Sequence, residues 1–338
     1  LLRSLPAALP LALAACASSP AGAPAGIPPP PAPPPAFTSV QPDLLGVAGS
    51  LSNVWGDYDN DGDPDLAVSL KSGEVRLYRN DGGALVSVGA AMGLPVGGYE
   101  LRGLSWGDFD GDGWLDLHGG ATDKAKPSFL FRNEGGTFFR DVAESVGLAI
   151  PGRSARQSNW IDYDNDGDLD LYATDRAGEN RLYRNDGGKF VQAFPGAGPT
   201  DPRPTVGACW LDYDRDGDLD LYLANQSGAT DALWRNDGSA FVDVAPELGM
   251  EVKGRSREEG GVGCAVADFD NDGHLDIFVP SYGHNILWRA NGDGTFTNVA
   301  PGVGVGIENH AVGASWGDID NDGFLDLSVM SYEGPFGE

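Results

Sequence analysis

The residues best suited to chemistry in this chain are aspartates, and they recur in one nine-residue frame. The first copy, Asp57 to Asp65, reads D-Y-D-N-D-G-D-P-D, with aspartate at positions 1, 3, 5 and 9 and glycine at position 6. Five further copies run from Asp108 to Asp116, Asp162 to Asp170, Asp212 to Asp220, Asp268 to Asp276 and Asp318 to Asp326, at steps of 51, 54, 50, 56 and 50 residues. The carboxylates at positions 1, 3, 5 and 9 are Asp57, Asp59, Asp61 and Asp65, then Asp108, Asp110, Asp112 and Asp116, then Asp162, Asp164, Asp166 and Asp170. The later copies supply Asp212, Asp214, Asp216 and Asp220, then Asp268, Asp270, Asp272 and Asp276, and finally Asp318, Asp320, Asp322 and Asp326. Two unit charges about 4 Å apart repel by roughly 4 kcal/mol at an effective dielectric near 20, so such a nest calls for a counter-cation. Oxygen-only donors at alternating positions suit Ca²⁺, which takes 6–8 oxygens in flexible geometry, better than Mg²⁺, which demands a strict octahedron. Position 7 is expected to offer only its backbone carbonyl, leaving its side chain free to vary: Asp63, Trp114, Asp168, Asp218, His274 and Phe324. One acidic turn would be ordinary surface, because Asp and Gly are common turn residues; six intact copies are not.

The flanks say which elements must hold these loops. A helix-loop-helix site needs amphipathic helices on both sides and a glutamate at position 12, and neither is present. Short small-residue and apolar runs such as Leu104-Ser105-Trp106-Gly107 come before the loops, and runs such as Asp170-Leu171-Tyr172-Ala173 come after them. These read as strands. Position 10 is apolar in every copy: Leu66, Leu117, Leu171, Leu221, Ile277 and Leu327. Two residues before the loop stands Trp55, Trp106, Trp160, Trp210 or Trp316, with Val266 in the fifth copy. Rings at a fixed strand position are expected to pack rather than to form a ligand platform.

A second signature follows each loop: Leu77-Tyr78-Arg79-Asn80, Leu130-Phe131-Arg132-Asn133, Leu182-Tyr183-Arg184-Asn185, Leu233-Trp234-Arg235-Asn236 and the looser Leu287-Trp288-Arg289-Ala290. Turns such as Asp186-Gly187-Gly188 then lead into another strand, a hairpin signal. A third piece, F-x-D-V-A-x-x-x-G-L, is approximated at 139–148, 241–250 and 296–305. Each unit is thus four short strands in about 50 residues, an all-β architecture of β-propeller blades that stack because none can bury a core alone. The repeats resemble the FG-GAP/VCBS family of integrin-α-like propellers, above all its bacterial ASPIC/UnbV and cartilage-acidic-protein type. The likeness rests on W-G-D-Y-D-N-D-G-D-x-D-L…L-Y-R-N…G-x-F-x-D-V and covers residues 37–338. It implies that the nine-residue loop joins the first two strands of a blade and that its four aspartates bind calcium. Pro64 at position 8 and Ala290 after Arg289 depart from the pattern. The sixth unit stops where its third strand is expected, so the stretch reads as part of a six- or seven-bladed propeller, with Phe37 to Val40 a candidate for a lone fourth strand.

Residues 1–16 read as an export signal ending in Leu13-Ala14-Ala15-Cys16, a bacterial lipobox with Cys16 as the lipidated residue. Residues 17–36 read as a Pro/Ala-rich spacer, and 37–338 as the propeller. Cys209 and Cys264 precede their loops by three and four residues; regular strand alternation turns them to different faces, so buried thiols are expected rather than a disulfide. The net charge of −28 is largely the acidity of the loops and argues against nucleic-acid binding. No nucleophile elbow, zinc-protease helix or phosphate-binding loop is present, and His118, His274, His284 and His310 fall at unlike repeat positions. The expected role is a calcium-binding surface module for a protein or glycan, held to the bacterial envelope by its lipid. Polysaccharide lyase or hydrolase activity and an envelope scaffold are the alternatives. Longer connections at the end away from the aspartate loops hold Tyr99, Arg102, Lys124, Lys126, Arg153, Arg156, Arg203, Lys253, Arg255 and Arg257. Variable loops on a rigid frame usually carry recognition, so that end is expected to dock an anionic or polyhydroxylated partner, such as a surface glycan or an acidic protein.

Overall fold

In the computed structural model, residues 41–150 and 154–331 are described. The export signal, Cys16, the spacer, Phe37–Val40 and Arg153 lie outside them. A short helix, Pro42–Leu45, leads into a succession of four-stranded antiparallel sheets. Blade 1 is Ser50–Gly56, Asp65–Leu70, Val75–Asp81 and Ala84–Ser87; blade 2 is Leu101–Gly107, Asp116–Ala121, Phe129–Asn133 and Phe139–Asp141. Blade 3 is Ala155–Ile161, Asp170–Asp175, Arg181–Asn185 and Phe190–Ala193; blade 4 is Thr205–Leu211, Asp220–Asn225, Ala232–Asn236 and Phe241–Asp243. Blade 5 is Ala265–Ala267, Asp276–Val279, Ile286–Ala290 and Phe296–Asn298. The sixth sheet differs: Glu308–Gly317 and Asp326–Ser331 pair with each other, and the first of them also pairs with Ser281–His284, which pairs with Gly260–Gly261. Strands within each blade pair in chain order, and the first strands of successive blades pack side by side. The third sequence piece includes, in two of its copies, one-turn helices, Ala143–Val146 and Ala300–Val303.

The second strands explain why one blade needs two neighbours. Asp116–Ala121 and Asp220–Asn225 are buried at every residue, on both faces. Position 10 is fully buried at Leu117, Leu171, Leu221 and Ile277. Between blades, the aromatic at loop position 2 meets the next blade's tryptophan or its fourth-strand phenylalanine. Tyr58 stacks on Trp106 at 6.5 Å and lies 5.7 Å from Phe139, while Phe109 meets Phe190 and Tyr163 meets Phe241. Burying such a ring contributes about 1.5–3 kcal/mol. The tryptophans therefore pack as expected, except Trp55, which is 55% exposed on the face of blade 1 that no described blade covers.

One expectation is corrected. Cys209 and Cys264 form a disulfide between blades 4 and 5, with their Cα atoms 6.0 Å apart. The first strand of blade 5 is interrupted, pairing at Gly260–Gly261 and again only from Ala265. Counting alternate residues through that break gives the wrong face for Cys264. The two backbones also come close, because an added Cβ on Gly207 would lie 2.5 Å from the Cα of Gly263. Only glycine at position 207 permits that approach.

Candidate metal centres

All six aspartate loops join the first and second strands of their sheets. The turn is made by two left-handed residues. Position 6 is glycine with φ of 85–96° in all six copies. Position 4 is also left-handed, and it is Asn60, Asn165, Asn271, Asn321, Gly111 or Arg215. Asparagine and glycine tolerate that region best. Position 1 closes the loop: in copy 1, Asp57 accepts the N–H groups of Asp61 at 3.1 Å and Gly62 at 2.9 Å. Asp61 accepts the N–H of Asp63 at 2.9 Å. The side chain at position 7, free to vary in the sequence, meets the turn between the third and fourth strands in copies 1 to 3. Asp63 accepts the Gly82 N–H at 2.9 Å and Asp168 the Gly187 N–H at 3.0 Å, while the Trp114 ring lies against Gly136.

Position 9 is the buried anchor. Asp116 accepts the N–H of Phe109 at 3.2 Å and that of Asn133 at 2.8 Å, and the same pair of bonds recurs at Asp65, Asp170, Asp220 and Asp276. Burial, then the neighbouring loop carboxylates, push these acids up against that hydrogen bonding: Asp65 and Asp276 to about 6, and Asp116, Asp170 and Asp220 to about 7. Asp59, Asp164 and Asp214 at position 3 are also raised, first by burial and then by adjacent aspartates.

The fit of a divalent cation can be judged from oxygens left without partners. One carboxylate oxygen is buried and unbonded in each of five loops, on Asp59, Asp110, Asp164, Asp212 and Asp270. Such a group costs about 1–3 kcal/mol or more if nothing satisfies it. In the same loops three carboxylates bring oxygens within 4.8 Å of one another: Asp57, Asp59 and Asp61 in the first, and positions 1, 3 and 9 in copies 2 to 5. Hard, converging oxygens with unsatisfied lone pairs are a donor set that could hold a metal ion.

Two kinds of residue around these centres escaped the sequence reading, although each sits at a fixed repeat position. The asparagine of the L-aromatic-R-N signature is a staple between blades. The Asn133 side chain donates to Tyr58 O in the previous blade's loop at 2.8 Å and to Leu115 O at 3.1 Å, and accepts the Gly136 N–H at 2.8 Å. Asn185 bonds Phe109 O and Asn236 bonds Tyr163 O in the same way. Ala290 cannot, and a polar cleft between blades 4 and 5 opens there, lined by Tyr213, Arg215, His274 and Asp293. The arginine of the signature has two kinds of partner within reach. Arg79, Arg184 and Arg235 pair with Asp81, Asp186 and Asp237 two residues on. Blades 2 and 5 have Glu134 and Asn291 there, and Arg132, which keeps a 3.9 Å contact with Glu134, and Arg289 turn onto loop carboxylates. Arg132 reaches Asp110 at 2.6 Å and Asp112 at 2.9 Å; Arg289 reaches Asp270 at 2.6 Å and Asp272 at 3.4 Å.

At the other end, most of the expected cations are committed. Arg203 pairs with Asp201 and Asp243, Arg255 with the fully buried Asp231, Arg102 with Glu100 and Lys253 with Glu251, while Lys126 sits over the Tyr99 ring.

The comparisons agree with this architecture. The profile of the FG-GAP-like repeat matches residues 57–118, 162–223, 212–279 and 268–329. Mouse (Mus musculus) cartilage acidic protein 1 is 30% identical over 171 residues, 47% of this chain and 26% of that protein, so the chain spans about a quarter of its length. Among solved structures, BBS1N in complex with ARL6DN superposes with a TM-score of 0.53 at 9% identity, covering 84% of this chain and 76% of that one. An Agrocybe aegerita lectin that recognises non-reducing terminal N-acetylglucosamine gives 0.45 at 20% identity, over 74% and 65%. Repeated blades, loops and signature residues together place the chain in the FG-GAP-like repeat family.

Proposed function

We propose that this chain is a calcium-stabilised binding module, in which ions in the aspartate loops hold one end of each blade and the opposite end meets a partner. The buried, unbonded carboxylate oxygens repeated from loop to loop are the observation that carries the reading. The first-strand-to-second-strand loop would take Ca²⁺ on its four aspartates and the position-7 carbonyl, supplying charge that the folded loop lacks. Binding free energy then becomes folding free energy. The chain's own residues do the rest: position 9 ties the loop to the third strand, and the signature asparagine ties it to the previous blade. A rigid frame of blades with longer connections at the end away from the loops supports recognition of a protein or glycan.

Export and anchoring through Cys16 belong to the same proposal. The Cys209–Cys264 disulfide supports an oxidising compartment, and no helix among the described residues is long and apolar enough to cross a membrane. The test is calorimetric titration of chelator-stripped protein with CaCl₂, followed by a melt. About six ions per chain and a rise in Tm of many degrees are expected. Absence of saturable uptake, or a Tm indifferent to the ion, would reject the reading.

A further inference from the structure

Two adjacent blades break the repeat at one position. Six residues before the first aspartate of each loop, four copies carry an aliphatic side chain, at Leu51, Val206, Val262 and Val312; copies 2 and 3 carry Arg102 and Arg156. In five of the first strands the pairing register slips at or next to this position, between Ser50 and Ser52, Arg102 and Ser105, Ala155 and Ser158, Thr205 and Gly207, and Ala311 and Gly313. A bulge re-aims the side chain it carries and is favoured next to functional sites. Blades 2 and 3 touch here, because a Cβ on Gly103 would fall 2.9 Å from the carbonyl oxygen of Arg156. Arg176 completes the group: it follows the second strand of blade 3, and its N–H bonds Ser154 O at 3.1 Å.

Three arginines thus branch from adjoining backbone at the end away from the aspartate loops, in a chain of net charge −28. Two carboxylates stand beside them. Glu100 is held by Arg102 at 2.7 Å, and Asp175 caps the Ser154 and Ala177 N–H groups at 3.0 and 2.7 Å. Arg156 is half-buried, and its one hydrogen bond among the described residues goes to Ala155 O at 3.0 Å, with no ion pair. Burial and the flanking Arg102 and Arg176 pull it below its ordinary pKa. Like charges gathered in a partly desolvated place are unfavourable alone and favourable around an anion.

We propose that Arg102, Arg156 and Arg176 form a binding site for a single oxyanion, a carboxylate or a sulfate. This rests on the reading of the chain as a binding module and names the chemistry its docking end takes. The guanidinium fork matches both groups in bidentate geometry. The acidity of the whole molecule repels long polyanions, so the ligand is an isolated charge, either free in solution or on one residue of an otherwise neutral glycan.

The test uses the full, calcium-loaded protein at fixed ionic strength in chloride. Sodium sulfate, sodium glucuronate and a neutral oligosaccharide ended by glucuronate are titrated calorimetrically into the wild type, R156Q, R176Q and the exposed-arginine control R257Q. One saturable site is expected, weakened tenfold or more in R156Q and several-fold in R176Q, and unchanged in R257Q. Oligosaccharide binding tighter than glucuronate marks a glycan source, and equal binding marks a free anion; either supports the site. R176Q alters an exposed side chain, so its effect does not depend on whether R156Q folds. No saturable binding of any probe, or binding that R156Q and R176Q leave intact, overturns the site. A glycan array separates this from the broader reading: glycan binding that survives both substitutions keeps the module and removes the site. Saturable anion binding with no glycan or protein partner keeps the site and removes the module.

Discussion

The two orientations of the signature arginine make the aspartate loops unequal. Arg132 and Arg289 already neutralise loop carboxylates, whereas Arg79, Arg184 and Arg235 are occupied elsewhere. An incoming ion in blades 2 and 5 must share Asp110 or Asp270 with a cation or displace it. A half-exposed ion pair is worth about 0.5–1 kcal/mol, a two- to five-fold loss of affinity. Calcium titration should therefore resolve a weaker class of sites, and R132Q should shift one of them into the tighter class; a titration curve unchanged by R132Q would refute this. The asparagine staple has a larger effect. Asn133→Ala leaves the Tyr58 and Leu115 carbonyls short of a donor and should cost about 1–3 kcal/mol, read from urea unfolding with calcium present. The aspartate clusters could be seen in the sequence because their spacing alone brings the carboxylates together. The partners of Arg132 and Asn133 could not, because each depends on the course of another strand or another blade.

Within and between blades, regular strands were legible and interrupted ones were not. Apolar position 10, the small-residue first strands and the hairpin turns give four strands per unit, as the structure has them in blades 1 to 5. Alternation failed at residues 262–264, where blade 5's first strand breaks, and with it failed the expectation for Cys264. That cross-link closes a long loop between two blades. Cys209→Ser or Cys264→Ser should lower stability by about 2–4 kcal/mol, and reductant should reproduce the loss in the wild type only. If reductant lowers the Tm of C209S by as much as that of the wild type, the disulfide is not the cause. The exposed Trp55 follows from the same logic of neighbours: equivalent rings are covered by the blade before them, and no described blade precedes blade 1.

Taken as one body, the molecule should answer acid in opposite ways with and without calcium. Asp65, Asp116, Asp170, Asp220 and Asp276 hold protons up to about pH 6–7 when folded, against an ordinary 3.8. The folded chain binds more protons than the unfolded one between those values. Stability from these groups is thus full below about pH 4 and fades as pH rises through 6–7. In chelator, Tm should fall from pH 5 to pH 8. With saturating calcium it should rise over the same range, since the ion needs the charged form. Parallel slopes in the two buffers would contradict the assignment.

The position-4 side chains have a consequence for how the rim fills. Asn60 reaches Gly113 O, Asn165 reaches Asp218, Arg215 reaches Gly273 O and Asn271 reaches Gly323 O, so most loop tips are laced to the next. Position 4 of blade 2 is Gly111, which has no side chain to make that link. Ordering one tip should ready its laced neighbour, so ions load as two cooperative blocks with a seam between the second and third blades. That seam, held at the loop end by the Asn185–Phe109 staple without a tip-to-tip link, is also the boundary that Arg102 and Arg156 span at the far end, so an anion bound there would add a second tie across it.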